Sequence, residues 1–488
     1  MYFAVLLVLR TLISETAGID EADQLVVGQK LSWGYGPHAP LYTWLMFFFL
    51  RVFGSSEFSL TLLRECLLFG VYALTYLNAR TLTRSHAAGI LAAVALQFHP
   101  SIVWESQREL THSIVASLMI LCTLYSFLNL RPDRWLAWVG LGLFGGLSIL
   151  SKYNAALFYL AVLIAALSLP TSCSLILSRR MAVSLALTIL IILPNLVWAL
   201  NHRDLVLSLV YKFGIHESMP WPKAVAKGFT NWLIALLAHL APLVLVLCAI
   251  FWKPIFLERR VSFHSDHERI LGRAFFILFV LVVLTVLIGK VTQFKDRWLQ
   301  PIFICSPIFL IALLRDCLDR VRLKFALTLG LIISVGMSVS ASGRLFFTEK
   351  RGRRDVLNAP FRKFAADLKP SVENAEFILA GDYWLAGNLR LWFPEKRVFS
   401  PDLASPDPGA GTRWLIVWDA TKRAEAPAPL RAFTSAFTPD KTDYIPHYLE
   451  ETWRYHHSKK MKLGFYVLQK ERAASEEAAL LAWRSPNP

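Results

Sequence analysis

Several charged residues lie beside long apolar segments of this chain, where their chemistry suits group transfer. A carboxylate at Asp20 or Glu21 could take a proton from a hydroxyl, while cations such as Lys152 and Arg297 could stabilise a departing phosphate. Charges inside or at the ends of membrane spans are costly and usually functional. Acids in a loop are often merely solvated, so these residues indicate an anionic ligand without identifying a reaction.

Each basic residue also has a simpler interpretation. Lys152 follows an apolar segment and either extends to lipid headgroups or pairs with a lipid-linked phosphate. Lys295 and Arg297 precede a tryptophan and either anchor a span at the membrane surface or bind phosphate. Arg64 lies within a predicted span beside Glu65. Because consecutive helix residues point in different directions, we expect Arg64 to pair with an acid of another element, not with Glu65.

The elements that must position these residues are mostly membrane-spanning helices. The chain has 488 residues, of which 55% are hydrophobic and 18% charged, whereas soluble proteins are about one-quarter charged. Eleven apolar segments reach or approach the length that crosses a hydrocarbon core of ~30 Å. They are residues 1–14, 59–82, 86–104, 110–129, 134–151, 154–170, 181–200, 226–252, 274–293, 299–315 and 324–343. The first is short and contains Arg10. Either the start of the sequence is truncated or misassigned, or other parts of the protein shield this helix.

The distribution of basic residues predicts the orientation of these spans. Lysines and arginines cluster near residues 131–134, 179–180, 253–273 and 315–324, and such clusters usually lie in the cytoplasm. The long first loop, residues 15–58, and the C-terminal region then lie on the outer side. This topology accounts for the net charge of +16, and the absence of a nucleic-acid-binding motif argues against a nucleic-acid partner.

Residues 344–488 have the composition of a soluble domain, in contrast to the transmembrane region 1–343. Short apolar runs separated by turn residues predict a small α/β domain. The predicted strands are Phe377–Ala380, Arg397–Ser400, Trp414–Trp418 and Leu463–Leu468, and the predicted helix is Asp382–Trp392. In the first loop, the aromatic stretch Tyr42–Phe53 is too short to span and is typical of a helix along the membrane surface.

Short motifs in the transmembrane region resemble one family. Asp20-Glu21-Ala is followed by Gly34-Tyr-Gly-Pro-His38-Ala-Pro-Leu41. This pair looks like the signature of polyprenyl-phosphate-sugar glycosyltransferases of the GT-C class, which include protein O-mannosyltransferase-like enzymes, the lipid A aminoarabinose transferase and lipopolysaccharide galacturonosyltransferases. The resemblance continues through Arg64, Leu150-Ser-Lys152-Tyr153, Leu193-Pro-Asn195-Leu-Val-Trp198 and Arg297-Trp-Leu-Gln-Pro301.

The resemblance implies a GT-C fold and an inverting transfer at the periplasmic face of a bacterial inner membrane. The donor would be a polyprenyl-phosphate-linked sugar, and the acceptor lipid A, lipopolysaccharide, another glycan or a protein. Asp20 or Glu21 would be the catalytic base. Lys152, Arg297 and Lys295 would bind the donor phosphate with Arg64 nearby. The remaining substrate-binding candidates are Tyr35, His38, Glu109, His112, Tyr153 and His202.

The chain departs from the family pattern at two positions. Ala39 replaces a proline, and Thr111-His112 stands where the family commonly has Thr-Asp. Glu109 and His112 would share a helical face, so either could replace the missing acid. A divalent metal is possible there, but two ligands do not make a metal site. We therefore predict no certain cofactor and assign no metal ligands.

Two other functions remain open from the sequence. A transporter or flippase of a lipid-linked or anionic substrate also needs buried charge, and it predicts discontinuous helices and internal symmetry. No internal repeat is visible in the sequence, and the candidate residues gather on one predicted side, which favours an enzyme. A membrane protein without catalytic activity is the second alternative.

Overall fold

The computed structural model describes residues 1–109, 111–207, 212–215, 219–403, 413–437 and 444–469. Most of the chain up to residue 346 is helical, and one sheet follows. The helices are α1 (Tyr2–Ile13), α2 (Ile19–Val27), α3 (Leu41–Phe53), α4 (Glu57–Thr83), α5 (His86–Ala95), α6 (Pro100–Val103), α7 (Thr111–Leu128), α8 (Trp135–Ser151), α9 (Ala155–Leu167), α10 (Pro170–Ile176), α11 (Arg179–Asn201), α12 (Arg203–Leu207), α13 (Trp221–Ile250), α14 (Asp266–Leu287), α15 (Asp296–Phe303), α16 (Ser306–Leu313), α17 (Arg320–Phe346), α18 (Phe361–Glu373), α19 (Tyr383–Trp392) and α20 (Ala428–Phe437). The strands are β1 (Phe377–Ala380), β2 (Arg397–Phe399), β3 (Arg413–Asp419), β4 (His447–Trp453) and β5 (His456–Gln469).

Each of the eleven predicted spans corresponds to a helix or a bent helix pair. Among the described residues, six helices are long and apolar enough to cross a membrane alone: α4, α7, α11, α13, α14 and α17. Two further predicted spans are helix pairs bent by 79° and 57°. The other three are α1, α8 and α9, with 12, 17 and 13 residues. The polytopic helical fold is therefore confirmed, with up to eight spans by length and composition.

The sharper bend, of 79°, lies at a histidine before a proline. His99 has an extended backbone, φ −98° and ψ 111°, because a following proline disfavours the helical conformation. Its buried imidazole lies between two other helices, with Nδ1 3.2 Å from the His239 carbonyl oxygen and Nε2 3.3 Å from Ser306 Oγ. Ser306 begins the second half of the other bent pair, so the two breaks contact each other through polar groups.

Small residues hold α8 against α11 within the compact unit formed by residues 32–42 and 64–338. A Cβ atom on Gly142 would lie 2.4 Å from the Ser184 carbonyl oxygen. Ser184 Oγ donates to the Trp138 carbonyl at 2.6 Å, and Thr188 Oγ1 donates to the Gly142 carbonyl at 3.0 Å. In lipid, such close contacts and interhelical hydrogen bonds drive helix association. They position α8, whose end precedes Lys152.

The predicted C-terminal α/β fold is confirmed by a five-stranded sheet in the order β2-β1-β3-β5-β4. Strand β1 is parallel to β2 and β3, and β5 is antiparallel to β3 and β4. All four predicted strands and the predicted helix α19 are present. Strand β4, the partner of β5, was not predicted, because it lacks a continuous apolar run, and only one of its seven residues is buried.

Residues 1–31 and 43–63 form a second compact unit with residues 339–488. Val26 of α2 belongs to the same apolar core as Phe361, Leu385 and Val398. The side chains of Ser14 and Thr16 donate to backbone carbonyls of Leu357 and Ala359, at 2.5 and 2.9 Å. Much of the first loop therefore packs as part of the C-terminal fold. The sequence-predicted boundary after residue 343 falls inside α17.

Candidate active site

A cavity of about 430 Å³ lies among residues of the unit 32–42 and 64–338. We call it the Lys152 cavity. Its basic lining residues are Lys152, Lys212, His38 and His112, and most of its wall is apolar. The other lining residues are Pro37, Ala39, Ser151, Tyr153, Asn154, Leu157, Phe213, Val282, Thr285, Val291, Phe294, Trp298, Leu299 and Ile302. None of these lining residues is acidic, so the cavity suits an anion attached to an apolar chain.

Lys152 enters the cavity directly after helix α8. The helix ends at Ser151, and Lys152 has an extended backbone with φ −162° and ψ 122°. Its side chain is half-buried, and its Nζ donates to Ser113 Oγ on α7 at 2.8 Å. A lysine that is tied to a neighbouring helix and lines a cavity is not simply extended toward headgroups. This placement supports the interpretation of Lys152 as an anion ligand.

Two imidazole rings stack in the same cavity. The His38 and His112 rings are nearly parallel, with an angle of 8° and centroids 5.1 Å apart, and Tyr42 lies beside His112 at 5.6 Å. Neither ring nitrogen of His112 makes a hydrogen bond of normal geometry with the described residues, although both are buried. Buried polar atoms are usually satisfied, so His112 presents hydrogen-bonding capacity that a ligand could use.

The family motifs meet around the loop that carries His38. Asn195 Nδ2 donates to the Trp33 carbonyl oxygen at 2.6 Å, and the Tyr153 hydroxyl donates to Asn195 Oδ1 at 3.2 Å. Gly34 faces the Trp198 ring so closely that a Cβ atom would lie 2.0 Å from ring carbon Cε3. Motifs that are far apart in sequence therefore hold one loop. Asn195 and Trp198 belong to the motifs that resemble the family, but the sequence predicted no role for them.

Tyr35 shapes this loop from within. The Ser32 backbone N–H donates to the Tyr35 hydroxyl oxygen at 2.9 Å, and the His38 N–H donates to the Tyr35 carbonyl oxygen at 3.1 Å. Tyr35 is buried and, unlike His38, does not line the Lys152 cavity. His202 also lies outside the lining, exposed and stacked on Trp198 with ring centroids 4.4 Å apart. Both residues therefore support the loop in this structure.

Arg297 and Lys295 do not line the Lys152 cavity. Arg297 Nη1 lies 3.2 Å from Glu109 Oε2, and both side chains are partly exposed. Lys295 is exposed, with its Nζ 5.8 Å from the centroid of the Trp298 ring. Trp298 itself lines the cavity, and its carbonyl oxygen accepts from Asn154 Nδ2 at 3.0 Å. The segment 295–298 thus contributes the ring of Trp298 to the cavity wall, while the charged groups of Lys295 and Arg297 lie outside the cavity lining.

The expectation that Arg64 would not pair with Glu65 was wrong. Arg64 Nε lies 3.4 Å from Glu65 Oε1, and both side chains are buried. The Cβ atoms of Arg64 and Glu65 point in different directions. The arginine side chain is nevertheless long enough to bring its guanidinium group to the neighbouring carboxylate. Glu65 Oε2 also lies 3.4 Å from Gln107 Nε2. Arg64 is not among the lining residues of the Lys152 cavity.

The expected shared face of Glu109 and His112 was also wrong. Helix α7 begins at Thr111, so Glu109 precedes it. Glu109 pairs with Arg297, while His112 stacks on His38. In the described part of the chain, no group of three or more histidine, cysteine, aspartate or glutamate residues could hold a metal ion.

Asp20 and Glu21 have different surroundings in the first turn of α2. Glu21 is buried, and its Oε2 accepts from the Gly18 backbone N–H at 2.9 Å. The same carboxylate lies 3.7 Å from Arg10 Nη2, and Arg10 also pairs with Glu57. Asp20 is half-buried. Glu21 therefore stabilises the start of α2, which favours Asp20 as the candidate base.

Sequence reasoning missed two residues of the Lys152 cavity. Ser113 accepts from Lys152, and its only sequence signal is its position near the start of an apolar helix. Lys212 also lines the cavity, beside Phe213. The Phe213 carbonyl oxygen accepts from the backbone N–H groups of Thr292 and Gln293, each at 3.1 Å. These long-range contacts have no local sequence pattern.

Comparisons with known proteins place these motifs in context. Residues 37–198 match the family model described as dolichyl-phosphate-mannose-protein mannosyltransferase. The chain is 28% identical to the lipopolysaccharide core galacturonosyltransferases RgtB and RgtA of Rhizobium johnstonii. The match to RgtB covers 86% of this chain and 85% of the relative, and that to RgtA covers 90% and 89%.

Two solved structures are similar over most of their length. They are ArnT from Cupriavidus metallidurans bound to undecaprenyl phosphate and the same protein in the apo state. Each is 15% identical, with a TM-score of 0.49 over 95% of this chain and 97% of the other. The family model and the two Rhizobium relatives confirm the resemblance that the motifs indicated: the chain is a membrane glycosyltransferase and is similar to the enzymes of the GT-C class.

Proposed function

We propose that this glycosyltransferase moves a sugar from a polyprenyl-phosphate donor to lipopolysaccharide, or to another lipid, glycan or protein, at the periplasmic face of the bacterial inner membrane. The observation that carries the proposal is the Lys152 cavity. Its apolar walls suit a prenyl chain, and its two lysines and two histidines suit a phosphate. No carboxylate among the lining residues opposes an anion.

The proposed reaction is a single displacement. The carboxylate of Asp20 takes the proton of the acceptor hydroxyl as its oxygen attacks C1 of the sugar. The bond from C1 to the phosphate oxygen breaks in the same step, and polyprenyl phosphate leaves with the electron pair, so the configuration at C1 inverts. Lys152 stabilises the charge that develops on the phosphate. Arg297 and Arg64 contribute less, because each lies beside a carboxylate.

The relatives' names extend the proposal to a galacturonosyl donor and a lipopolysaccharide core acceptor. The composition of the Lys152 cavity supports a sugar that carries its own carboxylate. A sugar phosphodiester has one negative charge, whereas the cavity offers two lysines. A second anionic group on the donor would pair with the second lysine.

Reconstitution tests the proposed reaction. The full-length protein in liposomes should transfer a hexuronosyl residue from a polyprenyl-phosphate donor to lipopolysaccharide core, and mass spectrometry would show the corresponding mass increase. Transfer from a neutral hexosyl donor alone would overturn the proposed sugar. Absence of transfer from every prenyl-phosphate sugar would overturn the proposed function. Mass spectrometry of lipid A and glycans from a deletion strain would identify the acceptor in cells.

Cysteine labelling tests the proposed orientation. In a background without the six natural cysteines, Lys30→Cys should react with an impermeant maleimide from the periplasmic side. Arg131→Cys should react only after the membrane is made permeable, since the basic connections are expected in the cytoplasm. Both native residues are exposed in the structure. The reverse labelling pattern would contradict a periplasmic active site.

The transporter interpretation predicted broken helices, and two pairs are broken. At these breaks His99 contacts His239 and Ser306 inside the apolar core. These contacts form a packed polar network and not a substrate pathway lined by charged residues. The family match favours transfer chemistry. A flux assay with labelled lipid-linked sugar separates the two, because a transporter moves the donor without acceptor, whereas the proposed enzyme consumes it only with acceptor.

A further inference from the structure

We propose that the C-terminal domain positions the catalytic base, because helix α19 and strand β2 hold helix α2, whose first turn carries Asp20. The proposal rests on the role of Asp20 as base. It assigns a function to residues 344–488 and makes Asn388, Gly387 and Gln29 positioning residues. All the contacts that support it lie within the unit of residues 1–31, 43–63 and 339–488.

The first contact is a side-chain amide that binds the backbone before α2. Asn388 Oδ1 accepts from the Ala17 backbone N–H at 2.8 Å. The Ala17 carbonyl oxygen accepts from Trp384 Nε1 at 3.2 Å and lies 3.4 Å from Asn388 Nδ2. Ala17 and Asn388 are both fully buried. Loss of the amide would leave a buried N–H group unpaired, so the structure depends on Asn388 to define where α2 begins.

The second contact is a crossing of two helices at backbone distance. A Cβ atom on Gly387 would lie 2.3 Å from the Ala22 carbonyl oxygen and 2.4 Å from its Cα. Ala22 is fully buried and follows Asp20 by two residues. Any side chain at position 387 must therefore push α2 away from α19. Glycine is required there because of the close approach.

The third contact covers an edge of the sheet. Strand β2 is an edge strand, and its Val398 exchanges two hydrogen bonds with the side chain of Gln29. Val398 N–H donates to Gln29 Oε1 at 2.9 Å, and Gln29 Nε2 donates to the Val398 carbonyl oxygen at 2.6 Å. The side-chain amide thus pairs with β2 as the peptide group of another strand would. It holds the chain just after α2.

The three contacts bind α2 before its start, near its middle and after its end. Ala22 and Val26, four residues apart on one helical face, are buried. Asp20 and Asp23 lie on another face of α2, close to Tyr383, the first residue of α19. Burial and the negative charges of Asp23 and Asp20 raise the pKa of Tyr383. A misplacement of a catalytic group by about 1 Å can cost ~100-fold in rate, so this attachment matters for catalysis.

Matched substitutions in the full-length, reconstituted protein test the proposal. Asn388→Ala and Gly387→Ala should lower kcat about 10- to 100-fold and change the donor KM less than about two-fold. The donor ligands proposed above lie in other segments of the chain, so donor binding should persist. The controls are Asn374→Ala, whose exposed side chain donates to the Pro370 carbonyl oxygen of α18, and Gly381→Ala, where the nearest atom lies 3.2 Å from the added Cβ. Both controls should keep wild-type kcat.

An unchanged kcat in Asn388→Ala and Gly387→Ala would overturn the proposal, as would an equal loss in the controls or a loss confined to the donor KM. If limited proteolysis shows that either variant unfolds, Gln29→Ala decides, because Gln29 is half-buried and its loss creates no clash. Gln29→Ala should then lower kcat and leave the donor KM unchanged. Asp20→Asn is assayed in parallel. An active Asp20→Asn would refute the base itself, whereas an active Asn388→Ala beside an inactive Asp20→Asn refutes only the positioning role.

Discussion

Arg10 Nη2 lies 3.7 Å from Glu21 Oε2, and the same guanidinium pairs with Glu57 and donates to the Thr16 carbonyl oxygen at 2.9 Å. A charge that interrupts the short apolar helix α1 is therefore compensated by protein groups, which was one of the two alternatives that the sequence left open. The contact also separates the two adjacent acids of the motif. Glu21 stabilises the start of α2, so Asp20 is the better candidate for the chemical step.

Substitution of the two acids should have different effects. Asp20→Asn is expected to reduce transfer by about 100- to 10,000-fold, the range for loss of a general base, with normal protein abundance. Glu21→Gln is expected to lower the free energy of unfolding by ~1–3 kcal/mol, because a buried charged partner is lost. Transfer assays and immunoblots of membranes would measure both. Full activity of Asp20→Asn would contradict the site assignment.

The two lysines near Trp298 should also differ. Lys152→Ala is expected to abolish detectable transfer in cells, because Lys152 lines the cavity. Lys295→Ala is the matched control, since Lys295 is exposed and does not line it. We expect Lys295→Ala to retain most activity. Equal losses in the two variants would indicate that the donor phosphate binds outside the Lys152 cavity.

His112 should influence donor binding through charge. His112→Asp restores the acid that the family commonly has and places a negative charge in the Lys152 cavity. We expect the KM for an anionic sugar donor to rise at least about ten-fold, since each 1.4 kcal/mol of repulsion corresponds to one power of ten. His112→Asn, which adds no charge, should change this KM much less. Equal KM values in the two variants would argue against an electrostatic role.

The loop that carries His38 should tolerate substitution at one glycine and not at another. Gly34→Ala would clash with Trp198, and we expect reduced activity with a stability loss of about 1–3 kcal/mol from overpacking. Gly36 has φ +58° and no atom within 4 Å of an added Cβ. Because asparagine adopts the left-handed conformation more readily than most residues, Gly36→Asn should remain active. The reverse order of activities would contradict the loop's described packing.

A half-buried carboxylate in the C-terminal domain, that of Asp382, should make stability depend on pH. Asp382 caps α19 by accepting from the Leu385 N–H at 2.9 Å, and burial, with smaller contributions from Asp402 and Asp419, raises its pKa. A raised folded-state pKa means that stability is lost as the pH rises through it. Asp382→Asn keeps the cap and removes the charge. It should therefore raise the Tm at pH 8, with a gain that shrinks toward pH 4.

The control for this pH dependence is Asp367→Asn on the exposed face of α18. Thermal unfolding of the purified full-length protein, followed by tryptophan fluorescence, would measure both variants. A gain for Asp382→Asn that is independent of pH would show that the effect does not arise from the titration of this carboxyl group.

Local features of the chain predicted the elements well. The eleven apolar segments each correspond to a helix or a bent pair, because hydrophobic length is a local property. The predicted strands and α19 are present for the same reason. The sequence did not predict strand β4, because this strand is stabilised by its hydrogen bonds to β5 and has no apolar pattern of its own.

The sequence by itself determined that this chain is a polytopic membrane protein with a soluble C-terminal fold, and its motifs pointed to the GT-C class. Only the tertiary structure separated the roles within those motifs. It placed Lys152, His38 and His112 at one cavity, paired Arg297 and Arg64 with acids, and attached the helix of Asp20 to residues 344–488. The physical reason is that these distinctions depend on contacts between residues far apart in the chain, whereas hydrophobic pattern and charge distribution act locally.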